Sequence, residues 1–158
     1  MGVATSATLH HTGFVVHDVE ASATALVEAL GIRPWAVFTI EPPRTTVRGR
    51  EVPFSFRIAI AAIGSSHYEL LAPLTGASIY VEHLTAHGEG FHHTCFAYST
   101  HDELRQAKAE LTREGREILQ SGDFGEAGEF CYFHIAETGT ILELLFLADQ
   151  PPPEKVIG

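Results

Sequence analysis

A chain of 158 residues, 45% of them apolar and 19% charged, has the length and core content of one ordinary domain or of two small modules sharing a core. Its formal charge of −10, with only ten Lys and Arg, excludes the clustered basic surface that phosphate contacts need. No apolar run reaches the roughly eighteen residues of a membrane helix, and the first residues lack a basic-then-apolar signal pattern. Cys95 and Cys131 sit in apolar runs without paired spacing and read as free thiols of a reducing compartment. A cytoplasmic protein with no nucleic-acid and no membrane partner is expected.

In chain order, Thr8–Val16 is an apolar, β-branched run and reads as a strand. Period-two alternation puts Leu9, His11, Gly13 and Val15 on one face and His10, Thr12 and Phe14 on the other. Asp18 is a good N-cap for a helix carrying Ala23, Leu26, Val27 and Leu30 as its apolar stripe, with Gly31 closing it. Trp35–Ile40 is a second strand, stopped by Pro42-Pro43, and the polar stretch from Arg44 to Pro53 reads as a loop or exposed hairpin. Phe54–Ile63 alternates, Gly64-Ser65-Ser66 turns, and His67–Ala72 returns as a strand.

A short helix from Ile79 to about His87, capped by Ser78, links to a second pass through the same order. Phe91–Tyr98 is its strand, and Thr100 with Glu103 is a capping box for a helix with the stripe Leu104, Ala107, Leu111. Strands at Glu117–Gln120, Phe130–Ala136 and Thr140–Leu147 complete it, with Ser121–Gly128 as a flexible loop and the tail from Gln150 outside the fold. The fold class is therefore α+β, with two tandem βαβββ modules in one domain spanning residues 1–158. Module one covers about 8–72, the linker helix about 73–90, module two about 91–148 and the tail 149–158.

The repeat is visible in the residues as well as in the elements. Leu9–Phe14 reads Leu-His-His-Thr-Gly-Phe and Phe91–Phe96 reads Phe-His-His-Thr-Cys-Phe; Glu69-Leu70-Leu71 is echoed by Glu143-Leu144-Leu145. Each glutamate lies on the last strand of its module and each doublet on the first. First and last strands of a small sheet can be neighbours, so one histidine from each doublet could meet both carboxylates around one divalent ion (Zn, Co, Ni, Mn or Fe). Periodicity leaves open which member of each doublet takes part. An unpaired carboxylate inside Ile141–Leu145 would cost several kcal/mol if it pointed inward, about what a metal would offset.

With these features the chain resembles the vicinal oxygen chelate superfamily, which holds glyoxalases, bleomycin resistance proteins and extradiol dioxygenases. Within it the methylmalonyl-CoA epimerases are closest, through Glu69–Leu74, His87–His93 and Gly139–Leu144. The resemblance implies a glyoxalase-like domain with a cupped mixed sheet. It places the metal positions on His11, Glu69, His93 and Glu143. It further implies a homodimer and a small-molecule substrate. The second free carboxylate of those epimerases falls at Val52-Pro53 here, leaving Glu51 as the nearest candidate partner to Glu143 in catalysis.

The activity so implied is that of a metal-dependent isomerase, epimerase or lyase acting on a carbonyl or acyl-thioester substrate through a metal-stabilised enolate. An extradiol-type dioxygenase, or a non-catalytic binding and resistance protein, are the alternatives within the superfamily. Arg44, Arg48, Arg50 and Arg57 either meet an anionic group on the substrate or form a solvated, charged hairpin.

Overall fold

The computed structural model of the chain describes residues 2–158. Its elements in order are β1 (Thr8–Val15), α1 (Val19–Leu30), β2 (Trp35–Ile40), β3 (Arg44–Val47), β4 (Arg50–Glu51), β5 (Ser55–Ile63), β6 (Ser66–Thr75) and α2 (Ile79–His87). They continue with β7 (Gly90–Ala97), α3 (His101–Arg113), β8 (Ile118–Asp123), β9 (Gly128–Ile135), β10 (Thr140–Leu147) and β11 (Lys155–Ile157). No helix is long and apolar enough to cross a membrane among these residues.

All the strands join one mixed sheet in the order β11-β2-β5-β6-β1-β7-β10-β9-β8-β3-β4. Two four-stranded halves, β2-β5-β6-β1 and β7-β10-β9-β8, meet at the antiparallel β1–β7 pair. In each half the first strand pairs in parallel with the last, β1 with β6 and β7 with β10, and the remaining pairs are antiparallel. The duplication read from the repeated segments is thus a duplication of topology.

The sheet is strongly cupped. β5 and β9 are five strands apart, about 24 Å across a flat sheet, yet the rings of Phe56 and Phe130 lie 5.9 Å apart. Inside the cup one core joins both halves through Val15, Phe38, Ile58, Leu71, Tyr132 and Leu145. The two long helices cover the convex face. α1 packs on the first half beside Trp35, Ala59 and Leu70, and α3 buries Leu104, Ala107 and Leu111 on the second. Asp18 accepts from the Glu20 and Ala21 amides, Gly31 closes α1 at φ 68°, and Thr100 and Glu103 form the reciprocal capping box. Leu30, the last residue of α1, is 68% exposed and does not share in this packing.

Three segments differ from the sequence expectation. The Arg44–Pro53 stretch is a hairpin, one of the two expected readings, turned by Arg48 and Gly49, both at positive φ; the departure is that β3 leaves its own half to pair with β8 of the other. Ser121–Gly128 is ordered: β8 runs on to Asp123, whose carboxylate accepts from the Gly125 amide and fixes a single 3-10 turn. The tail belongs to the fold. The outer edge of β2 offers unpaired backbone groups, and β11 fills it antiparallel while Glu154 accepts from the Thr39 amide.

Candidate metal centre

The central strands β6, β1, β7 and β10 carry the four candidate ligands, and the strand register explains their convergence. His11 faces Cys95 across the β1–β7 seam and Glu143 stands beside Cys95; His93 faces Gly13, and Glu69 stands beside Gly13. Each glutamate is therefore next to the position that faces the other half's histidine. All four side chains are buried, His93 completely.

Their donor atoms meet in one small volume. Nε2 of His11 lies 3.1 Å from Nε2 of His93, and Oε2 of Glu143 lies 3.1 and 3.0 Å from these two nitrogens. Oε1 of Glu69 is 3.5 Å from His11 and 3.7 Å from His93. Glu143 Oε2 nevertheless makes no well-directed hydrogen bond. The two imidazole Nε2 atoms are within hydrogen-bond reach of each other, but a carboxylate oxygen held about 3 Å from both without alignment to either has the geometry of a coordination shell. Edges of about 3.0–3.4 Å are expected around an ion with bonds near 2.1 Å. His11, His93 and Glu143 are one of two groups here close enough to hold an ion, His10, His11 and Cys95 being the other, and the two-histidine, one-carboxylate donor set suits a borderline divalent ion.

Electrostatics distinguishes the two carboxylates. Burial pushes Glu69 up, reinforced by Glu143 and opposed by the histidines. Burial acts on Glu143 in the same sense, but His11 and His93 outweigh it and hold that carboxyl well below the usual range. Burial would lower His11; Glu69 and Glu143 reverse this and raise it to about 9.

The first histidine of each doublet is not on the opposite face, as strict alternation requires. β1 and β7 shift register between Leu9 and His11, and again between Gly13 and Phe14, so His10 and His92 are each the extra residue of a bulge. The bulges swing both rings back toward their neighbours. Nδ1 of His10 lies 2.8 Å from Nδ1 of His11, and Nδ1 of His92 lies 2.9 Å from Nδ1 of His93. A histidine that offers Nε2 to a metal carries its proton on Nδ1, and here that proton has an imidazole acceptor that fixes the ring. Burial and the adjoining histidines lower His10 to about 4 and His92 to about 3, so both rings stay neutral. His67 stacks on His10 at 4.6 Å, and its ring is hydrogen-bonded to the His10 carbonyl. His134 is exposed on β9.

Gly13 is a site residue that the sequence reading passed over. A Cβ built there would sit 2.2 Å from the His93 ring. The available signal was the mismatch of the two copies, Thr-Gly-Phe against Thr-Cys-Phe.

A cavity of about 760 Å³ opens over the cradle between the two halves, with His11, Glu69 and Glu143 in its lining. Glu51 is not brought there. It is exposed on the two-residue strand β4, opposite Thr46 at the outer edge of the sheet, because the hairpin pairs with β8 and carries it away. Three of the four arginines are ion-paired, Arg44 with Asp123, Arg48 with Glu82, and Arg57 with Glu20 and the cavity-lining Glu154, while Arg50 is exposed on β4; none of the four lines the cavity.

The sequence model of the Glyoxalase/Bleomycin resistance protein/Dioxygenase superfamily matches residues 10–133. No curated protein matches the chain in sequence. Among solved structures, a hypothetical protein of Bacillus halodurans superposes with a TM-score of 0.67 at 20% identity, over 93% of this chain and 99% of that one. A methylmalonyl-CoA epimerase variant of Streptomyces coelicolor in complex with 2-nitronate-propionyl-CoA gives 0.62 at 23% identity, over 89% and 97%. The methylmalonyl-CoA epimerase of Mycobacterium tuberculosis gives 0.61 at 20%, over 89% and 88%. At these identities the superpositions establish the fold, and the match over most of the sequence places the chain in the Glyoxalase/Bleomycin resistance protein/Dioxygenase superfamily.

Proposed function

We propose that this protein is a metal-dependent isomerase or epimerase that moves a proton on the carbon beside a carbonyl group. The observation that carries the reading is the convergence of His11, Glu69, His93 and Glu143, without hydrogen-bond alignment at Glu143 Oε2, on the floor of an apolar cavity. The epimerases among the structural neighbours support it. His11, His93, Glu143 and Glu69 would hold the ion. A divalent ion held there supplies stabilisation for negative charge developing on a carbonyl oxygen.

The chain's own residues do the rest. With Glu51 outside the cavity, the proton acceptor is a cradle carboxylate. Glu143 is the tightly held ligand. Glu69 makes the longer contacts and is the less tightly held of the two carboxylates, so we assign it as the base that takes the proton and delivers it to the neighbouring carbon, or to the opposite face once the enolate has turned in the cavity. His10 and His92 fix the imidazole planes, and the phenylalanine-lined walls exclude water from the reacting carbon.

The test is metal analysis of the purified protein followed by solvent deuterium uptake into a panel of 2-substituted carbonyl compounds. Stoichiometric metal and metal-dependent uptake are expected, with uptake lost in Glu69→Gln while metal is retained. Protein without metal at any loading would overturn the reading. The tight His11–His93–Glu143 triad also matches a two-histidine, one-carboxylate iron site. Oxygen consumption by Fe(II)-loaded protein with catechols, in place of deuterium uptake, would favour that second reading.

A further inference from the structure

The substrate class can be narrowed from the charges around the cavity, on the premise of the metal reading above. Its walls are apolar and aromatic, with Phe38, Phe56, Ile58, Phe124, Phe130 and Leu145. Its rim is acidic. Glu41 follows β2, and Asp149 and Glu154 flank the Pro151–Pro153 segment that β11 anchors along the opening. Among the described residues that line the cavity there is no Lys or Arg. Arg57, which Glu154 contacts, is held by Glu20 at 2.7 Å and Glu154 at 3.0 Å. Four of the ten cations, Arg44, Arg105, Lys108 and Arg113, line a separate groove along α3, shared with Asp123, Glu126 and Glu129.

The floor adds nothing for an anion. Two carboxylates and a divalent ion held by them would cancel in formal charge. An anionic substituent entering here would leave water, pass Glu41 and Asp149, for which no ion pair is found among the described residues, and meet no Lys or Arg in the lining, in a cleft whose walls focus the field; Glu154 counts for less because Arg57 shares its charge. The volume of about 760 Å³ is enough to enclose a whole small molecule. We infer that the cavity takes a compact, apolar carbonyl compound that is neutral or cationic, and not a dicarboxylate half-ester or a coenzyme A thioester.

The experiment uses Co(II)-loaded full-length protein and three probes with one metal-binding head: benzohydroxamate and its 4-carboxylate and 4-trimethylammonium derivatives. Binding is followed by the cobalt absorption spectrum at low salt. The neutral probe is expected to bind about fourfold tighter than the carboxylate probe, and the trimethylammonium probe about fourfold tighter again, as the two rim charges of Glu41 and Asp149 roughly 10 Å away would give in water, with both gaps closing in 0.5 M salt. The double variant Glu41→Gln/Asp149→Asn should recover several-fold of the carboxylate probe's affinity with cobalt stoichiometry unchanged. Uptake of no cobalt overturns the metal reading and this one with it. Normal cobalt uptake with the carboxylate probe bound as tightly as the neutral one overturns the substrate class alone.

Discussion

The two halves of the sheet share a frame and differ in what they leave open. In the first half, His10 borders the cavity. In the second, the equivalent His92 is sealed: Tyr80 from α2 packs against it at 5.7 Å and Tyr132 at 6.1 Å, with the two tyrosine hydroxyls 2.8 Å apart. The linker helix thus plugs on one side the space that substrate would occupy on the other. Duplication supplies a pair of equivalent ligand sets, and the departures from symmetry make the site one-sided. The hairpin that crosses to β8 and the tail that joins β2 are further departures; the tail borders the cavity through Asp149, Pro151 and Glu154, while the hairpin lies at the outer edge of the sheet.

The sharpest way to break the comparison is to remove one ligand from each half. If the halves contribute equally, His11→Ala and His93→Ala should each lower metal affinity by at least about a hundredfold, more than the 10–100-fold typical of residues that only orient a ligand. Glu143→Gln should fall with them, and Glu69→Gln should lose less, given its longer contacts. Competition with a chromogenic chelator measures all four. A loss confined to one half would mean that the second histidine is not a ligand.

Next in size is the one position where the copies differ beneath the ligands. Gly13→Ala places a methyl group into the His93 ring, and overpacking of this kind costs about 1–3 kcal/mol as well as displacing a ligand. Cys95→Ala, at the matching position under His11, removes a small buried group and should cost about 1 kcal/mol with metal binding kept. Thermal unfolding and metal content of the pair give the contrast. Equal effects would show that the glycine serves no purpose that the cysteine does not.

The contrast between Gly13 and Cys95 also shows where sequence reading reaches its limit. The repeat and both long helices with their caps were legible because each is a local signal occurring twice; the doublets and the two glutamates were legible as candidates, and the resemblance, not periodicity, singled out His11 and His93. The bulges at His10 and His92 were not, since one extra residue resets the period-two rule and only the pairing register reveals it. Glu51 was misdirected by proximity in sequence: nothing local in Arg44–Pro53 says that β3 will pair with β8. The tail misled because Pro151–Pro153 has no amide hydrogens to pair, while the three residues that do pair lie beyond them.

A smaller effect sets the histidines against one another through pH, in metal-free protein. His11 is raised to about 9, so its contribution to stability is complete below its ordinary value near 6.5 and is lost as pH climbs through 9. His10 and His92 are lowered to about 4 and 3, so theirs is complete above 6.5 and is lost as pH falls toward those values. Glu69, raised by burial, loses stability above its ordinary value as His11 does, so metal-free protein should melt highest at or somewhat below pH 6.5. Metal binding displaces the His11 proton, so the loaded protein should hold its melting temperature up to pH 9. Calorimetry across pH 5–9 with and without metal decides it, and a metal-free protein that gains stability above pH 7 would contradict the assignment.

The smallest expected effects lie on the convex face, where the halves are alike. Asp18 caps α1 by accepting from two amides at 3.0 Å; Thr100 caps α3 at 3.2 Å while Glu103 returns a bond at 3.1 Å. Asp18→Ala and Thr100→Ala should each cost about 1 kcal/mol, or roughly 2–4 °C in melting temperature at this chain length. Neither helix contributes a side chain to the cavity, so metal stoichiometry should not move in either variant. Because α3 buries three residues against the sheet and α1 two, local loosening after Thr100→Ala meets more resistance. Its amides near β10 should exchange more slowly than those of α1 in Asp18→Ala. Equal loosening of both helices would mean that their caps, and not their buried faces, set the stability of the outer layer.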